Sequence, residues 1–169
     1  MANLIKNGDI VANEWITLTL DAGLSPEDVK LPYGNVLLPL AVWRVRKWDL
    51  IQRQWHSLEG GGKLGVWLSP DEDPAVLAAD LDDLDVVAVR FPAVGDGRGY
   101  SIASLLRTRY GFKRELRAIG AVERDYLHFL QRVGFNALEV GNPEEALASL
   151  DDFSIAYQPA ADQSLPLAA

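Results

Sequence analysis

The segment Gly95-Asp96-Gly97-Arg98-Gly99-Tyr100-Ser101 is the strongest local concentration of chemistry-bearing residues in this 169-residue chain. It falls between an apolar β-branched run, Val86 to Phe91, and a helical pattern, Tyr100 to Tyr110. Backbone N–H groups and the positive end of a helix dipole converge at such a joint and can hold an anion. Alternating glycines permit close backbone approach, and Arg98 adds a bidentate donor. Gly97, Arg98, Gly99, Tyr100 and Ser101 are therefore the candidate anion-binding residues. The competing reading is a tight βα turn in which Asp96 makes a local cap. A dinucleotide fingerprint is excluded, because G-x-G-x-x-G needs glycine where Tyr100 stands, and Glu115 precedes the next strand instead of ending it.

Arg90, Arg117 and Glu139 form a second constellation, since each falls inside an expected strand. Strands covered on both faces are normally apolar throughout, so charges there need partners. Arg90 and Glu139 lie near C-terminal strand ends, where α/β folds build ligand sites. With Asp96 these three are pocket candidates; the alternative is a structural ion pair between Glu139 and one of the arginines. Other features carry less. Gly60-Gly61-Gly62-Lys63 precedes a strand and has no Ser or Thr after the lysine, so it is no phosphate loop. The Asp71-Glu72-Asp73 run is explained by the dipole of a helix's first turn, and no metal site is expected. His128 lies opposite an apolar stripe between Arg124 and Arg132, a poor setting for a general base, and His56 sits near a helix end. Trp43, Trp48 and Trp55 read as a packing face or an interface between copies.

With no cysteine, the chain has no disulfide, thiol nucleophile, thiolate zinc site or cysteine-held iron–sulfur cluster. No cofactor is expected. The net charge of −8 argues against general nucleic-acid binding, but it is unevenly spread. Residues 71–85 hold seven acids and no base, whereas residues 90–132 hold nine of the sixteen bases. A basic middle suits an anionic small molecule or an acidic partner, and equally a pairing of the two blocks. No apolar run reaches the roughly 18 residues that span a bilayer, and the start of the chain lacks a signal-peptide pattern, so the expected location is cytoplasmic.

The elements that must position these residues follow from periodicity. Asn7-Gly8 between Leu4-Ile5-Lys6 and Asp9-Ile10-Val11 predicts a type I′ hairpin, with Trp15 to Leu20 extended beyond it. Residues 21–35 read as a connector. Strands are expected over Val36–Val42, Leu64–Leu68, Val86–Phe91, Glu115–Ile119, Ala137–Val140 and Ser154–Tyr157. Helices are expected over Arg44–Leu58, after Ser69-Pro70 (with Asp73-Pro74 as the alternative cap), over Tyr100–Tyr110, along Val122, Tyr126, Phe129, Leu130 and Val133, and after Asn142-Pro143. The fold class is thus α/β: repeated βα units with a mainly parallel sheet behind an N-terminal hairpin (1–20). An open doubly wound sheet and a partial or small β/α barrel both fit. Residues 1–158 form one domain on this reading, and 159–169 a flexible tail.

Phe91-Pro92, Asp96-Gly97-Arg98-Gly99-Tyr100-Ser101, Leu105-Leu106-Arg107, Arg109-Tyr110-Gly111 and Glu115-Leu116-Arg117-Ala118, with Arg124-Asp125, Gly134-Phe135 and Glu139 later, resemble bacterial domain-of-unknown-function family 934. Members of that family are sometimes labelled oxidoreductases and are often encoded beside a sulfite reductase hemoprotein subunit. The resemblance implies an accessory or binding component of assimilatory sulfite reduction, with that hemoprotein subunit as partner. The alternative is an enzyme, oxidoreductase or transferase, acting on a phosphate- or sulfate-bearing small molecule. Family members usually carry an acid where Ala121 stands and Asp where Asn136 stands.

Overall fold

The structure, a computed structural model, describes residues 3–52 and 61–150. The expectations for Trp55, His56, the helix end at Leu58, the Ser154–Tyr157 strand and the tail lie outside the described residues.

The chain opens on β1 (Asn3–Lys6) and β2 (Asp9–Ala12), paired antiparallel. Asn7 and Gly8 take φ of 52° and 89°, the left-handed pair that a type I′ turn requires. β3 (Trp15–Thr17) is the short remnant of the expected extended piece. There follow β4 (Gly34–Pro39), α1 (Leu40–Gln52), β5 (Gly61–Leu68), β6 (Val86–Phe91), α2 (Arg98–Thr108), β7 (Glu115–Gly120), α3 (Leu127–Arg132), β8 (Ala137–Leu138) and α4 (Pro143–Leu150). The apolar run from Val36 to Val42 was expected to be all strand; α1 instead begins at Leu40. Strand and helix are both buried there, so hydrophobicity alone does not mark the joint.

These strands form one mixed sheet in the order β2-β1-β8-β7-β6-β5-β4-β3. From β3 to β8 every pairing is parallel, and β1 joins β8 antiparallel, Ile5 opposite Leu138. Parallel neighbours follow chain order, without the order reversal that defines a doubly wound sheet. Of the two architectures open in the sequence, the partial barrel is the one formed: a curled half-barrel.

Strand alternation sorts side chains onto two faces. Val36, Leu38, Val66, Leu68, Val87, Val89, Leu116, Ala118 and Leu138 meet Trp43, Ile102, Leu106, Leu127, Leu130 and Ala146 of the helices in the main core. The other face gathers Leu37, Trp67, Val86, Ala88 and Ile119 with Trp15, all from strands. On this inner face of the curl the backbone closes up tightly. A Cβ at Gly65 would lie 2.8 Å from Leu37 Cδ1 and 3.1 Å from the Trp15 ring.

Three further expectations are corrected. No α-helix follows Ser69-Pro70: Glu72 Oε2 accepts from Ser69 N–H at 2.7 Å, and the Asp73 alternative is realised, its carboxylate accepting from Ala75 N–H to cap a single 3-10 turn. The tryptophans of α1 do not share a face. Trp43 is buried with Nε1 donating to Asp80 (2.9 Å), whereas Trp48 is exposed under the Lys47 ammonium, as a five-residue step on a helix dictates. On α3 Phe129 is exposed and Leu127 takes its expected core position.

Candidate functional site

The Gly97 loop is built to satisfy itself. Asp96 Oδ1 accepts from the backbone N–H (3.2 Å) and Nε (3.0 Å) of Arg98, and Oδ2 accepts from Nη2 at 2.7 Å. Asp71, from the acidic block, takes Nη1. The Arg98 hydrogen bonds hold the Asp96 carboxyl below its ordinary value, and Asp96 in turn raises the guanidinium. Gly95 adopts φ of 82°, so the turn needs a glycine there. Gly99 has a packing reason: a Cβ would lie 2.5 Å from Phe91 Cζ. The Tyr100 ring lies tilted at 5.7 Å from the Phe91 ring, and partial burial, then Tyr126, pushes its hydroxyl pKa up. Ser101 is exposed on the first turn of α2. The acidic and basic blocks also meet through Arg114 and Asp85.

A different arrangement occupies the inner face. Arg117 is 1% exposed. Its Nε and Nη2 donate to Glu115 Oε1 (2.7 and 2.5 Å), its Nη1 donates to Asn13 Oδ1 (3.0 Å), and its guanidinium lies over the Trp15 ring. Lys6 Nζ completes the Glu115 carboxylate at 2.7 Å. The expected ion pair of Glu139 with Arg90 or Arg117 is therefore not formed, because Glu115, two residues back on the same strand face, is nearer to Arg117. An alternating Glu-x-Arg in a strand was the available signal for this pair.

One step further along the strands lies the C-terminal rim. Arg90 is level with Ile119, and one residue past the Ala118–Leu138 pairing places Glu139 on the other side of Ile119. With strands about 4.8 Å apart, the Arg90 and Glu139 backbones are about 10 Å apart. Arg90 is exposed and lies 5.6 Å over the Trp67 ring, and among the described residues its guanidinium makes no hydrogen bond or ion pair. Trp67 is held by Nε1 donating to Leu18 O at 2.8 Å. Glu139 Oε2 is shielded from solvent and, among the described residues, has no hydrogen-bond partner. Such an acceptor costs about 1–3 kcal/mol, more when charged. The rim thus offers an unused cationic fork on an aromatic plate and, across one apolar side chain, an unused acceptor.

The remaining candidates have structural occupations. Arg107, a residue of the family motif, is buried: Nε donates to Gly134 O, and Nη1 to Phe112 O and Arg114 O, at 2.7–2.9 Å. Gly134 is needed because a Cβ there would strike Arg107 Cγ. Arg124 pairs with Glu145. His128 is partly buried, which, with Arg132 nearby, lowers its pKa. Among the described residues no group of three or more His, Asp or Glu side chains could hold a metal ion, and no helix is long and apolar enough to cross a membrane.

Fold and rim together define an α/β half-barrel protein with unsatisfied polar groups at the C-terminal ends of its parallel strands. The family described as bacterial protein of unknown function (DUF934) matches residues 65–168, and the chain belongs to it. Neither a curated protein nor a solved structure matches the chain.

Proposed function

We propose that this chain binds a small oxyanion-bearing molecule at the C-terminal rim of its half-barrel, as a binding component and not as a self-sufficient redox enzyme. The observation that carries this reading is the pair of unused groups flanking Ile119: the Arg90 fork over Trp67 and the orphaned Glu139 oxygen. An oxyanion suits the fork, and a hydroxyl or amine on the same molecule suits Glu139. The position supports the reading too, since parallel α/β sheets place ligands beyond the carboxyl ends of their strands. The Gly97 loop is the weaker seat, because Asp96 and Asp71 already fill the Arg98 donors.

Sulfate and phosphate test this through linkage, since a ligand that prefers the folded state raises the melting temperature. Arg90→Ala is expected to diminish the rise and Arg98→Ala to keep it in full. The reverse pattern would return the site to the Gly97 loop. The family resemblance adds a partner for such a component, the sulfite reductase hemoprotein subunit. Titration of the two purified proteins at low and high salt tests it. Salt-sensitive association supports the partnership, and none down to about micromolar affinity removes it.

A further inference from the structure

The opposite, N-terminal rim of the sheet carries a cleft of about 290 Å³ whose lining includes Lys6, Lys63, Lys113, Arg114, Asn136, Asp85 and Glu115. Four cations face two carboxylates there, a local excess of two positive charges in a chain whose net charge is −8. Part of that charge is already engaged: Lys6 Nζ holds Glu115 Oε2 at 2.7 Å, and Arg114 Nη1 donates to Leu84 O at 3.1 Å and stands 3.9 Å from Asp85. Among the described residues the ammonium groups of Lys63 and Lys113, both exposed, make no hydrogen bond or ion pair. Asn136 has its orientation set from behind. Its Oδ1 accepts from Leu116 N–H at 2.7 Å, which leaves the side-chain amide as a pure donor at the cleft wall.

We propose that this cleft is a second binding site, for a compact anion carrying two or more negative charges, such as a diphosphate group. Lys63 and Lys113 supply mobile point charges and the Asn136 amide supplies a fixed donor. The volume lies just under the roughly 300–1,000 Å³ of ordinary ligand pockets, which suits a small polyanion better than a nucleotide. The cleft begins at Val86 and Glu115, the first residues of β6 and β7, and Arg90 lies four residues along β6, about 13 Å away at about 3.3 Å per residue. The two rims are therefore separate sites, and this inference stands without the Arg90 reading.

Calorimetric titration of the whole chain with inorganic pyrophosphate tests it. A saturable site is expected that is weakened about tenfold or more, about 1.4 kcal/mol, in Lys63→Ala/Lys113→Ala and in Asn136→Asp, and that persists in Arg90→Ala, which removes only binding at the C-terminal rim. Asn136→Asp keeps the acceptor for Leu116 N–H, so the fold is retained, and replaces the donors at the cleft wall with a negative charge. The lysine changes lie on exposed side chains. Unaltered binding in the lysine double variant overturns the proposal, as does no saturable binding up to about 1 mM. A loss confined to Arg90→Ala also overturns it and assigns pyrophosphate to the C-terminal rim, so the two readings fail separately.

Discussion

On the inner face of the half-barrel, the Arg117 row and the Arg90 row lie two residues apart along neighbouring strands, yet their charges end in different states. Arg117 is buried and has three named acceptor contacts, a stacked ring and, through Glu115, a second cation. Among the described residues Arg90 is exposed, has only a ring beneath it, and stands across Ile119 from a carboxylate oxygen with no donor. A charge network inside a protein is stable when every member is satisfied. The lower row meets that condition within the chain, and among the described residues the upper row does not. The contrast separates charges satisfied by the fold from charges that, on the proposed reading, await a ligand.

The largest expected effect breaks the lower row. Glu115→Ala leaves Arg117 buried with Asn13 as its remaining hydrogen-bond partner and is expected to destabilise by about 3–5 kcal/mol in denaturant titration. A loss under about 1 kcal/mol would show that the two rows are not different in kind. Gly99→Ala probes whether the motif loop belongs with the structural set. Its Cβ would press on the Phe91 ring, and overpacking of this sort costs about 1–3 kcal/mol. Phe91→Leu in the same chain is expected to recover part of the loss, and no recovery would point to a role for Gly99 beyond packing. Glu139→Gln comes next. No native pair is broken, so stability should stay within about 1 kcal/mol of the parent while the response to the ligand changes. A loss of about 3 kcal/mol or more would mean that Glu139 has a buried cationic partner after all.

The smallest effect belongs to Arg98→Ala, whose ties to Asp96 and Asp71 are exposed to solvent. Its melting temperature should match the parent's near neutral pH within error. Any difference follows Asp96. That carboxyl is held below its ordinary value of 3.8 in the folded chain, so its contribution is present above that pH and is lost as pH falls through the lowered folded value. A gap between parent and variant that widens on acidification would contradict the assignment.

Much of the architecture was legible because local chemistry and tertiary need agree. Asn7-Gly8 specifies its turn through backbone sterics alone, and Val86–Phe91 is a strand whose apolar run matches its burial. The α1 boundary was hidden because both sides of Pro39 are buried, and the Leu127–Phe129 choice because a short helix offers too few turns to fix the phase of its stripe. At the site, the glycines and Arg98 resemble an anion cradle in composition. Only the structure gives those donors to Asp96 and Asp71, Gly95 to the turn and Gly99 to Phe91. Arg90, Arg117 and Glu139 were legible as charges in strands, but their partners were not, since Asn13, Trp15 and Trp67 come from distant segments that meet only when the sheet curls. Glu115 could have been paired with Arg117 from alternation.

The N-terminal hairpin has a consequence for how the molecule is made. β1 sits between β2 and β8 and has no other neighbour in the sheet. Its segment is made before the rest of the sheet, and its second partner is the last strand of the described sheet, with Ile5 opposite Leu138. Contacts so far apart in sequence slow folding, because the intervening chain must be ordered before they form. During synthesis the parallel strands β3 to β7 can add in chain order while the hairpin waits with its β1 edge open, a state that invites pairing with another chain. Arrival of β8 closes that edge, so the hairpin acts as the latch that completes the sheet.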